Sequence, residues 1–158
     1  VETRARFLTV NAQTNAGNLG FNLITKYRRA DYVCIDHREA RFAAADKYCD
    51  IAELAGSRVP ALVDCDRLVI TAGFHGCLTW RKDGEVQRVP AFTKQVVDTV
   101  GAGDALLAVT APLVAAGLPM HQVGFVGNAA GAIKVGIVGH RASVDKVALL
   151  KFITTLLK

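Results

Sequence analysis

Residues 98–118 read DTVGAGDALLAVTAPLVAAGL, an aspartate, three small residues and a second aspartate set directly before a long apolar run. Gly101, Ala102 and Gly103 carry no bulky side chain, so another molecule can approach their backbone. They open a helix expected over 102–116, whose first N–H groups have no partner inside the helix. A helix start of this kind favours an anion. Asp104 is open to two readings here. As a cap it would satisfy those N–H groups itself; as a free acid it would face whatever anion they hold. Pro112 lacks an N–H and is expected to bend or end the helix.

Upstream of this stretch, short β-like runs alternate with helical ones, the pattern of a parallel sheet with crossover helices. Strands are expected at 7–11 (FLTVN) and 31–35 (DYVCI), and helices at 18–27, 37–48 and 50–59. The middle changes character. RLVITA at 67–72, GCLTWRK at 76–82 and EVQRVP at 85–90 are strand-like, with Asp83-Gly84 as a hairpin turn signal. Downstream the chain turns helical, over 102–116, 119–137 and 143–158, with Ser143 as N-cap of the last and Asp145 in its first turn. Neither an internal repeat nor an interdomain linker is visible, so the 158 residues read as a single α/β domain.

Composition excludes several classes. With 51% hydrophobic and 21% charged residues and no low-complexity tract, disorder is not the description. The net charge of +5 is scattered rather than striped, which argues against a nucleic-acid partner and still favours an anionic ligand. The densest basic cluster, KYRR at 26–29, reads as a solvated helix end. The four cysteines form no C-x-x-C pair and have no zinc-finger spacing to histidine, so they read as reduced thiols. The longest apolar run, 105–118, is too short for a membrane span, and the first residues lack a signal peptide's apolar core, so a cytoplasmic protein with no membrane partner is expected. No G-x-x-x-x-G-K-[ST], no G-x-S-x-G and no G-x-G-x-x-G after the first strand occurs, which leaves P-loop, serine hydrolase and dinucleotide readings unsupported.

The string DTVGAGD resembles the signature of the ribokinase (PfkB) family of sugar and nucleoside kinases. The resemblance implies a ribokinase-like three-layer α/β/α fold, represented here by its C-terminal half, with a mostly parallel sheet, a β-hairpin and a helical C-terminal third. It implies ATP-dependent phosphotransfer to a hydroxyl of a sugar or sugar phosphate, with Asp104 as general base and the Gly101-Ala102-Gly103 backbone as anion hole. That division of labour suits phosphoryl transfer, which needs charge stabilisation and a proton acceptor more than covalent help. Val109 departs from the family's usual small residue.

Further matches follow in order. VITAGFHGCL at 69–78 resembles the strand, turn and strand of the nucleotide site, which would place Thr71, Gly73 and Gly76 at the ATP phosphates; taken alone, these glycines are equally those of a turn. NAAGAIKVGIVGHRAS at 128–143 resembles the C-terminal nucleotide segment, which gives Asn128 a nucleotide contact. Close helix packing through small residues is the alternative for Asn128 and Gly131. The same resemblance makes Asp98, the Val100 carbonyl, Gly139 and Ser143 candidates for a monovalent cation. Asp36-His37-Arg38-Glu39 stands where the family has Asn-x-x-Glu, with the glutamate acting on Mg2+ through water, so Asp36 and Glu39 are metal candidates. Their alternative is a capping box, Asp36 as N-cap and Glu39 at the third helical position.

The Asn-rich VNAQTNAGNLGFN at 10–22 is most similar to the kinase domain of ADP-heptose synthase-like proteins, which phosphorylates a heptose phosphate. The family's N-terminal, sugar-binding half is not represented, so the fragment is expected to be inactive alone. A homodimer of a longer form stays open. The competing reading is a non-catalytic, nucleotide-binding or regulatory module of the same fold.

Overall fold

The computed structural model describes residues 4–14, 17–93, 95–139 and 141–158. The chain divides into two compact units, the first made of residues 1–72 and 78–88 and the second of residues 73–77 and 89–158.

The first unit is built on a sheet. β1 (Thr9–Val10), β3 (Tyr32–Asp36) and β5 (Arg67–Thr71) pair in parallel, and β6 (Cys77–Arg81) and β7 (Gln87–Val89) follow in the order β1-β3-β5-β6-β7. The connections 72–76 and 82–86 are too short for a parallel crossover, which makes the last two steps antiparallel. Tyr32, Val33, Cys34 and Ile35 are all buried, as are Leu68, Val69 and Ile70. Continuous apolar runs of this kind belong to strands covered on both faces. Val33, Ile35, Leu68, Ile70 and Trp80 join Ile24, Leu54 and Val59 in one core. A pair of strands that sequence patterning does not flag, β2 (Arg29–Ala30) and β4 (Asp64–Cys65), forms a separate two-stranded parallel sheet.

Several expected elements are shorter or absent. The helix expected over 18–27 is a series of turns ending in a 3-10 turn at Ile24–Lys26. Gly20 sits at φ 79, Leu19 and Phe21 are exposed, and only Ile24 is fully buried, too little apolar anchorage for a helix of that length. KYRR is accordingly not a helix end; the Arg29 guanidinium donates to the Ala5 carbonyl and pairs with Asp31 at 3.3 Å. The helix expected over 37–48 is α1 (His37–Ala43), stopped where Ala45 turns to φ 51 and Asp46 accepts from the N–H groups of Tyr48 and Cys49. The helix expected over 50–59 runs on to residue 62 but in three parts, α2 (Ile51–Glu53), a π-helical stretch Leu54–Arg58 and α3 (Val59–Leu62). Pro60 cannot continue an ordinary ladder, and the widened turn, with the Val59 N–H donating to Leu54, lies just before it. Asp83-Gly84 does mark the β6–β7 turn, but as its third and fourth residues: Asp83 is at φ 62 and the Gly84 N–H donates to Arg81 at 2.9 Å.

The second unit is helical: α4 (Ala102–Ala115), α5 (Met120–Lys134) and α6 (Lys146–Leu156). Leu106, Thr110 and Val114 recur four residues apart on the buried stripe of α4, and α5 packs against it through Gly127. A Cβ on Gly127 would lie 2.9 Å from the Thr110 methyl and 3.0 Å from Leu106, so this glycine, rather than Gly131, lets the two helices close up. Pro112 does not end α4. Only one turn follows it, and that turn is closed by Gly117 at φ 85, with Gly117 donating to Val114 and Leu118 to Leu113. α6 starts later than expected: its N-cap is Asp145, which accepts from the Ala148 N–H at 3.0 Å, and Ser143 lies outside the helix. No helix among the described residues is long and apolar enough to cross a membrane. All four cysteines are buried and unbridged, and burial pushes the Cys65 and Cys77 thiols up to about 12, which keeps them protonated and unreactive.

Candidate active site

Candidate residues of the first unit gather at the carboxyl ends of β3 and β5, where Asp36 and Thr71 are register partners. That edge of an open α/β sheet is where ligands bind. Asp36 caps α1, Oδ1 accepting from Arg38 at 2.7 Å and Glu39 at 3.3 Å, and Glu39 Oε2 accepts from the Asp36 N–H at 2.9 Å. Glu39 Oε1 takes the Thr14 N–H at 2.9 Å. The capping box is therefore present, with Asp36 Oδ2 outside it and 3.5 Å from His37 Nδ1. Among the described residues no three His, Cys, Asp or Glu side chains come together as a metal centre.

In the second unit, Gly73 at φ 57 and Gly76 at φ 86 bound the turn after Thr71, closed by the Gly76 N–H donating to Gly73 at 3.0 Å. Gly76 answers to packing as well as to its own φ: a Cβ there would lie 2.0 Å from the Val89 carbonyl oxygen. Nothing lies within 4 Å of a Cβ on Gly73. Asn128 is buried and spends its amide nitrogen on the Val89 and Pro90 carbonyls, both at 2.9 Å. It therefore ties α5 to the segment after β7, with no donor left for a ligand.

The start of α4, like that of α5, has no side-chain cap, and it differs in beginning on a left-handed glycine rather than a proline. Gly101 is the N-cap at φ 75, a conformation open to glycine at no steric cost. The Ala102 N–H donates to Thr99 at 3.2 Å, whereas the N–H groups of Gly103 and Asp104 have no partner among the described residues. Asp104 is exposed and does not cap its own helix. A Cβ on Gly103 would meet nothing within 4 Å, so the helix start is open on the side a Gly103 side chain would take.

The loop leading into α4 is held by Asp98. Oδ1 accepts from the Val100 N–H at 2.9 Å and Oδ2 from the Gly139 N–H at 2.7 Å. These two donors, Val100 first, keep the Asp98 carboxyl below the ordinary aspartate range, and the charge of Lys134 adds to them. Because the folded-state value is depressed, the associated stability is complete above the unfolded value and is lost as pH falls through the folded one. In urea unfolding followed from pH 7 to pH 2, the stability gap between the protein and Asp98→Asn is expected to close as Asp98 protonates. A gap independent of pH would mean that the charged form makes no difference.

Sequence reasoning missed Lys134. It is 4% exposed, and its ammonium donates to the Gly139 carbonyl oxygen. The signal was present: a single cation inside AAGAIKVGIVG, seven residues after Gly127, on the stripe turned toward the protein. The Lys134 ammonium would repel a monovalent cation placed at the same carbonyl. Two unit charges about 4 Å apart repel by about 4 kcal/mol at an effective dielectric near 20. Ser143, the last cation candidate, is exposed.

An uncapped glycine helix start presents free N–H groups that suit an anion. The pfkB family carbohydrate kinase model matches residues 22–147, and the chain belongs to that family. It is 37% identical over 120 residues to the bifunctional protein HldE of Geobacter metallireducens, covering 75% of this chain and 24% of that protein. The chain spans about a quarter of the length of the curated relatives it matches. In fold it resembles the crystal structure of ribokinase from Thermotoga maritima, with TM-score 0.78 and 22% identity, covering 97% of this chain and 51% of that one. It also resembles phosphofructokinase-2 from Escherichia coli in complex with potassium, with TM-score 0.76 and 17% identity, covering 95% and 47%. The fold is thus ribokinase-like α/β. The Asn-rich stretch 10–22 that pointed to ADP-heptose synthase-like kinases includes Asn15 and Ala16, which lie outside the described residues.

Proposed function

We propose that this chain is the nucleotide-side, catalytic part of a longer sugar kinase, transferring the terminal phosphoryl group of ATP to a hydroxyl of a sugar or sugar phosphate. The observation that carries the reading is the start of α4, where an exposed, uncapped Asp104 stands beside two unpartnered N–H groups and the helix start is open on its Gly103 side. In this reading the Asp104 carboxylate accepts the proton of the attacking hydroxyl, and the N–H groups of Gly103 and Asp104 take up negative charge on the transferring group. Gly101 holds the left-handed turn that aims them. Asp98 fixes the approach to that turn through Val100. ATP, when bound, supplies the phosphoryl group, and the glycine turn Gly73–Gly76 is assigned to its side of the site. Magnesium arriving with the nucleotide would need few protein ligands.

Gly103→Ala separates this reading from a purely structural one. The new methyl group meets no protein atom and replaces glycine inside a helix, so stability should rise by about 0.5–1 kcal/mol. Turnover should fall roughly ten- to a hundredfold, because the same methyl occupies the open side of the helix start and displaces the anion. A stabilised variant with unchanged turnover would remove the anion from the start of α4.

A further inference from the structure

Gly139 is gripped from both sides. Its N–H donates to Asp98, its carbonyl accepts from Lys134, and its φ of 53 turns the two groups to opposite partners. Lys134 lies at the last turn of α5 and Asp98 in the loop before α4, so one residue joins the end of one helix to the beginning of the other. An ammonium so buried must be met by an oxygen or an anion, or the cost of its desolvation goes uncompensated. Here the oxygen is a backbone carbonyl that the family resemblance assigns to a monovalent cation. An ammonium and a potassium ion carry the same charge and are of similar size, and both are satisfied by carbonyl oxygens. We propose that Lys134 is a tethered substitute for that ion: its ammonium occupies the Gly139 carbonyl and holds the 136–139 loop against the Asp98 turn, so the loop needs no free monovalent cation. Lys134 is on this view a positioning residue that acts on the proposed phosphoryl site through Gly139, Asp98 and Val100. The inference concerns how the loop is held and can be read without any turnover, so its failure is distinguishable from a failure of the kinase assignment.

The test is thermal unfolding of the intact protein in K+, Na+ and tetramethylammonium chloride at constant ionic strength, for the native sequence, Lys134→Ala and Lys134→Met. The native protein is expected to give the same Tm in all three salts. Lys134→Ala, which deletes the charge and opens a space behind the carbonyl, should fall by roughly 5–10 °C in tetramethylammonium and recover part of the loss in K+. Lys134→Met, which removes the charge but fills the space, should fall and not recover. Saturable, K+-selective stabilisation of the native protein would overturn the proposal, as would an unchanged Tm for Lys134→Ala in tetramethylammonium. If neither variant folds, the comparison of the native protein across the three salts decides alone.

Discussion

Asp104→Asn is expected to lower phosphoryl transfer by the intact protein about a hundred- to ten-thousandfold while leaving nucleotide affinity within a few-fold. Asparagine keeps the size and shape of the side chain but cannot take a proton from the attacking hydroxyl. Asp104 caps nothing in the structure, since α4 begins on Gly101 without a side-chain cap, so the helix should lose little by the change. Loss of a negative charge from the first turn removes at most a modest favourable interaction with the helix dipole, about 0.3–1 kcal/mol. The two effects thus differ in kind: turnover collapses while the Tm hardly moves. Steady-state rates with ATP and a panel of sugars and sugar phosphates, read beside nucleotide binding and a melting curve, check this. Retained turnover would return Asp104 to an ordinary helix-start acid and favour the non-catalytic nucleotide-binding module.

Gly76→Ala should be strongly destabilising, far more so than Gly73→Ala in the same turn. The Cβ would stand 2.0 Å from the Val89 carbonyl oxygen and 2.7 Å from both the Pro90 carbonyl carbon and the Ala91 nitrogen, all backbone atoms that no rotamer change can move aside. The φ of 86 adds strain that any L side chain would feel. Together these place the cost at about 3 kcal/mol or more. The segment that must shift is the one Asn128 holds through Val89 and Pro90, so the damage should spread to α5. Gly73→Ala is the internal control, with a positive φ but open space, and should cost only the strain of its backbone. Urea unfolding of the two variants checks the ranking. Equal costs would show that the 89–91 segment yields freely.

Features that depend on neighbours along the chain can be read from the order of residues. The apolar runs of β3 and β5 declare buried parallel strands, because a strand covered on both faces has no room for alternation. The glycine turn into α4 and the turn at Asp83-Gly84 are local hydrogen-bonding or steric events and were legible as such, and the capping box of Asp36 and Glu39 was one of the two readings their spacing allowed. DTVGAGD, local in the same sense, was enough to indicate the family. Tertiary structure decided what depends on segments far apart. Propensity alone suggested a helix over 18–27, but among those residues only Ile24 is fully buried and only a 3-10 turn forms, since a short helix in water needs packing. Pro112 was expected to bend or end α4, and the helix runs one turn past it with its own C-terminal closure and a buried Val114. Gly76 is required by residues 89–91, and Asn128 is spent on the carbonyls of Val89 and Pro90. Asp98 meets Gly139 across forty-one positions of sequence. Spacing rules reach only one helical turn or one strand pair, so which lysine ends buried beside which carbonyl is settled by the packing of α4 and α5, where Gly127 lets the helices close.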